Sequence, residues 1–383
     1  MATVRKRPLP SGKIRWQASY VDAAGQRRGK LFKREGDATA WLTKVARDVQ
    51  LGTHVPDSAS KAVRQACADY VEWCRGRMNR REQMTRKFLQ FIEGIVDNHI
   101  CHPETGIGAT KLTKLTKGSI EQFADRLREA GMSVATTRKT IGVLARVMDR
   151  AISNSHLTIN HARSVRIIGT RDEAPTKVVP PAKEDLRTLL GTADDRLKII
   201  IMFAAATGLR AGELWARRWR DLNLTSGELT VDSRVDAWGD LDVTKTAAGM
   251  RTVPVGAAVL TEMKAWKLRS KFSSDDDLIL PNSKGGYRSH TNFTRRRWHA
   301  LFAKMERAHN NDETQPAPPA RIKWHALRHF AISTWIEAGM TPKTIQTFAG
   351  HSTLALTMSR YGHLFKSESH KKVMDDIAGS IFS

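Results

Sequence analysis

The chain has 383 residues, 40% of them hydrophobic, and carries 63 lysines and arginines against 39 aspartates and glutamates, a net charge of +24 with an isoelectric point near 10.3. That length supports more than one hydrophobic core, so two or three domains are expected, and the charge calls for a polyanionic partner: DNA, RNA or an anionic membrane. The start, Met-Ala-Thr-Val-Arg-Lys-Arg, has no apolar signal core, no stretch of about 20 apolar residues follows, and Cys67, Cys74 and Cys101 show no ligand spacing; these features argue against a membrane protein or a disulfide scaffold and for a soluble protein in a reducing cytoplasm.

The excess is +8 in each of residues 1–56, 57–168 and 169–383, so the shortest segment is the most densely basic. In it, Ile14, Trp16, Ala18 and Tyr20 alternate with Arg15, Gln17 and Ser19, the period of a half-buried strand. Asp22-Ala-Ala-Gly25 reads as a turn, Gln26 to Phe32 as a second strand, and Asp37 as the cap of a helix running toward Gln50. A small sheet with one helix results for residues 1–56, with Arg15, Gln17, Arg27, Arg28 and Lys30 as candidate contacts to a groove or to phosphate.

Residues 57–168 read as a helical bundle, since Val63, Ala66, Cys67, Tyr70, Val71 and Cys74 fall at helical spacing, as do Phe88, Phe91, Ile92 and Ile95, then Ile120, Phe123 and Leu127, then Ile141, Leu144, Val147 and Met148. These stripes are core. Arg138 and Lys139, beside Thr136 and Thr137, are candidate phosphate contacts on an otherwise solvated face. His99-Ile-Cys101-His102 lacks a second ligand pair at finger-like spacing, so no metal is expected there. Residues 169–182, with Pro175, Pro180 and Pro181, read as a charged, Pro-rich linker.

Residues 183–383 read as mostly helical with a small sheet. Ile199 to Ala206 is an apolar helical run, Arg210 follows the Gly208 turn where a new helix presents its positive end, and Ser226 to Val255 alternates in short β-like pieces. His309 to Pro319 is polar and Pro-rich and reads as a mobile loop. Val373, Met374, Ile377 and Ile381 mark one face of a last short helix. The fold class is therefore multidomain and mainly α with small β-sheets.

This last segment also carries the chemistry. Arg210, His325, Arg328, a lone His351 and Tyr361 include no carboxylate pair and no cysteine cluster to hold a metal. They suit phosphoryl transfer onto a tyrosine with no cofactor. A phosphodiester's transition state spreads negative charge over its non-bridging oxygens, which a guanidinium fork matches bidentately, so Arg210 and Arg328 form the clamp. A phenol is a weak nucleophile at neutral pH, but nearby cations favour the phenolate and an imidazole can accept its proton; Tyr361 is the nucleophile and His325 its base. The departing oxygen needs a proton, and Lys245 is there to supply it.

Ala206-Thr-Gly-Leu-Arg210-Ala-Gly-Glu213-Leu, His325-Ala-Leu-Arg328-His329, Gly350-His351-Ser352 through Tyr361-Gly-His363, and the hairpin run Val243-Thr-Lys245 through Pro254 resemble, in order, the signature boxes of the tyrosine recombinases, the family of phage integrases. The resemblance is specific over roughly residues 180 to 365 and looser elsewhere. It implies cleavage through a 3′-phosphotyrosine with release of a 5′-hydroxyl, needing neither ATP nor a metal. It also implies His351 hydrogen-bonded to the phosphate, Glu213 bracing the site, an N-terminal arm-type DNA-binding domain with a three-stranded sheet, and a core-binding bundle before the catalytic domain. Implied partners are double-stranded DNA, three further copies in a tetramer on core and arm sites, a DNA-bending protein and a directionality factor. Where the family's bundle often closes with Asn-Pro-Ala, Asn160-His161-Ala162 stands here.

Among the four tyrosines, Tyr20 sits in a strand pattern, Tyr70 in a helical core pattern and Tyr287 in a Gly-Gly turn, which leaves Tyr361 as the nucleophile. The expected function is a phage integrase acting in the bacterial cytoplasm. The alternatives are a conjugative-transposon integrase, a type IB topoisomerase-like enzyme that needs no second duplex, and a DNA-binding regulator that keeps the fold without the reaction.

Overall fold

A computed structural model of the chain describes every residue except 1, 23–24, 52–54, 57–59, 81, 83, 171–177, 244–246, 313, 315–316, 366–373, 376–377 and 382–383. The expected Lys245, Val373 and Ile377, and the middle of the 169–182 linker, lie outside the described residues. The described chain is mainly helical with small sheets and divides into two compact units, Met1–Ala174 and Pro175–Ser383.

In the first unit, β1 (Thr3–Pro8), β2 (Ile14–Val21) and β3 (Arg27–Phe32) form an antiparallel sheet in that order, with α1 (Glu35–Gln50) packed on one face. Ala18, Tyr20, Ala38, Leu42 and Val45 make its small core, with Trp16 and Trp41 beside it. No alternation announces β1, because Arg5, Lys6, Arg7 and Pro8 are all exposed; its pairing with β2 carries it. The helix starts two residues before the expected cap. Arg34 is extended and makes no capping bond, and Asp37 lies in the first turn, where a carboxylate suits the positive end of the helix dipole.

Four further helices follow: α2 (Val63–Asn79), α3 (Arg86–Ile95), α4 (Lys117–Glu129) and α5 (Val134–Ser153). Thr85, Thr116 and Ser133 cap the last three, each hydroxyl accepting from the backbone N–H three residues on. The apolar stripes meet in one core around Cys67, Ile92, Ile120, Phe123, Leu144 and Met148. In α3 the inward face is Leu89, Ile92 and Ile95, while Phe88 and Phe91 stack half-buried at its rim, 6.0 Å between ring centroids. An aromatic ring at the rim keeps apolar contact without fitting the interior.

The second unit runs α6 (Lys183–Thr192), α7 (Asp195–Thr207), α8 (Ala211–Ala216), four short strands, then α9 (Ala257–Arg269), α10 (His290–Phe293), α11 (His299–Asn311), α12 (Ala326–Glu337), α13 (Pro342–Ala349) and α14 (Leu354–Tyr361). The strands are β4 (Glu228–Val231), β5 (Ser233–Val235), β6 (Leu241–Val243) and β7 (Arg251–Pro254), paired antiparallel as β4–β7 and β5–β6. His309, expected in a loop, is in the last turn of α11, since the apolar face of Leu301, Phe302 and Met305 pulls that helix onto the core. Residues 374–375 and 378–381 are helical, with Met374 and Ile381 exposed rather than packed. No helix among the described residues is long and apolar enough to cross a membrane.

Candidate active site and nucleic-acid interface

The end of α7 sets the first arginine. Gly208 takes φ +60°, and a Cβ there would come within 2.9 Å of the Trp335 ring on α12, so the turn needs a glycine on both counts. Arg210 then stands at the N-cap position of α8, where Glu213 accepts its backbone N–H at 3.0 Å. One turn on, the buried Trp215 packs against Phe293, at 4.9 Å, and Trp324, at 6.0 Å; Trp324 in turn meets the Trp298 edge at 5.0 Å. Trp324 immediately precedes His325, so this aromatic cluster fixes the start of α12 relative to α8.

Three arginines converge on the end of α13. Arg251 Nε donates to Phe348 O (2.7 Å), an Arg328 amino group donates to Ala349 O, and Arg210 Nη2 donates to Gly350 O (2.9 Å). The last carbonyls of a helix lack intrahelical partners and sit at the negative end of its dipole. Here three successive carbonyls each receive one guanidinium. Gly350 takes φ +63°, and a Cβ there would stand 2.9 Å from an Arg251 amino nitrogen, so the close approach excludes any side chain. Arg328 spends its other amino group on Gly208 O (2.8 Å) and is buried, whereas the Arg210 side chain stays 41% exposed.

Glu213 holds this set together. Its two oxygens take Arg210 Nη1 and Arg251 Nη2, each at 2.8 Å, and it is itself buried. Burial would raise its carboxyl, but Arg251 and then Arg210 outweigh it and hold the group down at about 2. Burial, with Arg210 and Arg251 nearby, brings Arg328 down to about 9, which leaves it charged at neutral pH.

His351 follows Gly350 and is buried, its Nδ1 sharing a 2.9 Å hydrogen bond with the Thr357 hydroxyl of α14. Burial, then Arg328 and Arg210, lower it to about 3, so it is neutral at neutral pH. Its ring lies near-parallel to that of Tyr361, 6.2 Å away. Tyr361 ends α14, is 1% exposed, and packs with Ile332, Ile336, Ile345 and Ala349.

Two expectations change. The phenol is bonded not to His325 but to His329, whose Nδ1 is 2.6 Å from the Tyr361 hydroxyl. The helix explains it: His325 is the exposed N-cap residue of α12, and His329 lies one turn further in, level with the end of α14. The surrounding cations do not favour phenolate on balance either. Burial raises the Tyr361 phenol, and Arg328, Arg360 and Arg210 offset this only in part.

Arg251 lies within the hairpin run but was given no role, although it is buried, as Arg328 is. Its only local signal is that it shares the buried face of β7 with Val253. His329 stood at the end of the His-x-x-Arg box without a role of its own. Among the described residues no group of three histidine, cysteine or acidic side chains is gathered in a way that could hold a metal ion.

In the N-terminal sheet the register sorts the candidates by face. Arg15 pairs with Arg7, Gln17 with Arg5 and Leu31, and Arg27 with Val21; directly paired residues share a face. Arg15, Gln17 and Arg27 thus join Arg5 and Arg7 on the face away from α1. Arg28 and Lys30 pair with Tyr20 and Ala18 on the α1 side. There Arg28 forms an ion pair with buried Asp22 (2.9 Å), and the Lys30 ammonium lies 5.8 Å from the Trp41 ring centroid. In the bundle, Arg138 Nε and Nη2 both donate to Ile167 O (3.1 and 2.8 Å), while Lys139 is exposed.

Residues 182–368 match the Phage integrase family and residues 3–51 match its Phage integrase, N-terminal domain. The chain is 24% identical over 312 residues to a "Tyrosine recombinase XerC-like" protein of Caldanaerobacter subterraneus, covering 76% of this chain and 78% of that one. It is 23% identical over 374 residues to the "Putative prophage phiRv2 integrase" of Mycobacterium tuberculosis, covering 96% and 93%. A solved structure of the Tn1549 transposon integrase with circular intermediate DNA shares the fold at a TM-score of 0.65 and 19% identity, over 83% of this chain and 99% of that one. The fold is that of the tyrosine-recombinase integrases. The chain belongs to the phage integrase family of tyrosine recombinases.

Proposed function

We propose that this chain is a site-specific recombinase that integrates and excises a phage genome by cutting and rejoining DNA through a 3′-phosphotyrosine. Arg210 and Arg328 clamp the scissile phosphate with His351 and His325 as hydrogen-bond donors, Tyr361 attacks, and Lys245 protonates the leaving 5′-oxygen. Glu213 braces the arginines. The observation that carries this reading is the convergence of Arg210, Arg251 and Arg328 on three successive carbonyls leading into His351. It supports a rigid cation set beside the buried phenol, built from segments far apart in the chain.

In the same reading residues 1–56 form the arm-type DNA-binding domain, 57–168 the core-binding domain, 169–182 the linker and 183–383 the catalytic domain. Of the candidates, Arg15, Gln17, Arg27, Lys30, Arg138 and Lys139 contact double-stranded DNA in a bacterial cell, while Arg28 stays paired with Asp22. Exchange of two duplexes needs four strand cuts, one per active site, so four copies act together. The exposed Met374 and Ile381 after the nucleophile give the tail an apolar face for a neighbouring copy. A DNA-bending protein and a directionality factor are further partners. A relative matched over 96% of this chain is named a putative prophage integrase, which favours a phage over a conjugative element.

The test is to incubate the chain with a fragmented phage and host DNA library, isolate covalent adducts and sequence them. A single recurrent junction joined to Tyr361 is expected, and none with Tyr361→Phe, which still binds DNA. Adducts retained by that variant refute the nucleophile; no adduct from the intact chain refutes the function.

A further inference from the structure

We propose that His329, the residue directly after the His-x-x-Arg box, is the general base that takes the Tyr361 proton. This rests on the strand-transfer reading above. Of the three imidazoles near the phenol, His325 stands exposed at the helix start, 4.9 Å from the His329 ring centroid, and His351 commits its Nδ1 to Thr357. His329 alone among the described residues has a hydrogen bond to the hydroxyl, at 2.6 Å. That is within the reach a base needs for the proton it abstracts.

The protonation states fit the direction of that bond. His329 faces His325 and Arg328 on its own helix and Arg360 and Tyr361 on α14; burial first, then Arg328 and Arg360, lower its basicity, so it is neutral at neutral pH. The buried phenol keeps its proton. The phenol O–H therefore donates and Nδ1 accepts, with the ring hydrogen on Nε2. In the step, the Oη–H bond breaks and the proton passes to Nδ1, the Oη–P bond forms and the P–O5′ bond breaks. The leaving oxygen is protonated by a separate acid. On rejoining, the deprotonated form of that acid takes back the 5′-hydroxyl proton, the P–O5′ bond forms, the P–Oη bond breaks, and the imidazolium returns its proton to Oη.

The same surroundings make the base conditional. An imidazolium beside Arg328 and Arg360 is disfavoured until a phosphodiester brings negative charge to the arginines. Proton transfer is thereby tied to the presence of substrate.

The test is single-turnover adduct formation on a nicked duplex bearing the junction found by trapping, followed across pH for the intact chain, His329→Gln and His325→Gln. His329→Gln is expected to slow adduct formation about a hundredfold at neutral pH, with retained DNA binding and melting temperature. The deficit should shrink as pH rises and hydroxide replaces the base. His325→Gln should lose a similar factor at every pH. A His329→Gln rate within about twofold of the intact chain, or a loss uniform in pH, overturns the assignment while leaving the function intact. An intact chain that forms no adduct overturns both. Should the variant fold poorly, imidazole nitrogen NMR of the intact chain decides: His329 Nδ1 should be unprotonated and should shift in Tyr361→Phe, and an unmoved signal overturns the proposal.

Discussion

The two units carry the same kind of residue in opposite ways. In the N-terminal sheet Arg5, Arg7 and Arg27 stand exposed, spread over a face with no apolar cover. In the catalytic unit Arg217 and Arg251 are buried, their nitrogens spent on carbonyls and carboxylates. An overall charge of +24 is therefore not a measure of DNA contact. A solvated arginine is a movable partner for phosphate. One whose donors are all committed inside the protein is a structural strut whose removal leaves several acceptors unpaired.

The sharpest way to break that contrast is Arg217. Its side chain is fully buried and donates to Glu213 O (3.0 Å), Thr230 O (2.6 Å) and Ser233 O (2.7 Å), with Asp221 and Asp232 each at 3.3 Å. Arg217→Met keeps the stem and removes every donor. A loss of about 3–5 kcal/mol in denaturant unfolding is expected, as for other broken buried pairs. A change under about 1 kcal/mol would show that the carbonyls rehydrate and that the strut reading is wrong.

Arg210 tests the intermediate case, a guanidinium braced by Glu213 yet 41% exposed. Arg210→Lys should leave melting almost unchanged and slow cleavage by about 10²–10³, since a point charge cannot reproduce the fork. Unfolding in parallel with the loss of cleavage would place Arg210 with the struts instead.

Glu213 is the carboxylate on which Arg210 and Arg251 depend, and its effect has a sign. Its carboxyl stands at about 2 in the fold against an ordinary 4.5. A depressed acid contributes stability that is complete above the ordinary value and is lost as pH falls from there through the folded one. The contribution is on the order of 3 kcal/mol. Acid unfolding of the intact chain should steepen between those two values, and Glu213→Gln should remove that steepening. An identical acid profile in the variant would contradict the assignment of Glu213 as the brace.

How legible these roles were depends on what kind of cause placed each residue. Arg210, His325, Arg328, His351 and Tyr361 are spread over about 150 positions, yet each sits in a short box whose neighbours, Gly208, Glu213 and Gly350, are required by the local backbone or the adjacent arginine. Local requirements leave sequence signals. Arg251 and His329 owe their surroundings to tertiary approach, to α13 and to α14 respectively; both lie in signature boxes, but nothing there says which neighbour each one meets. The alternation of Ile14 to Tyr20 gave away β2 because one of its faces is buried, whereas β1 holds its place through register alone. The same gap left the faces of Arg15 and Arg28 unsorted, because adjacent strands cannot be aligned without knowing the pairing.

That sorting sets the smallest and most discriminating effect. Binding of a duplex carrying the arm sequence should weaken with salt, each neutralised phosphate adding about 0.9 to the slope of log affinity against log salt. Arg7→Gln, Arg15→Gln and Arg27→Gln, all on the face away from α1, should each reduce that slope by about 0.9 and leave melting unchanged. Arg28 faces α1 and holds buried Asp22 at 2.9 Å. Arg28→Gln should instead lower the melting temperature of the sheet and change the slope little. If all four substitutions reduce the slope equally with no thermal effect, the ion pair opens to reach phosphate. The face of the sheet would then not decide which arginines meet DNA.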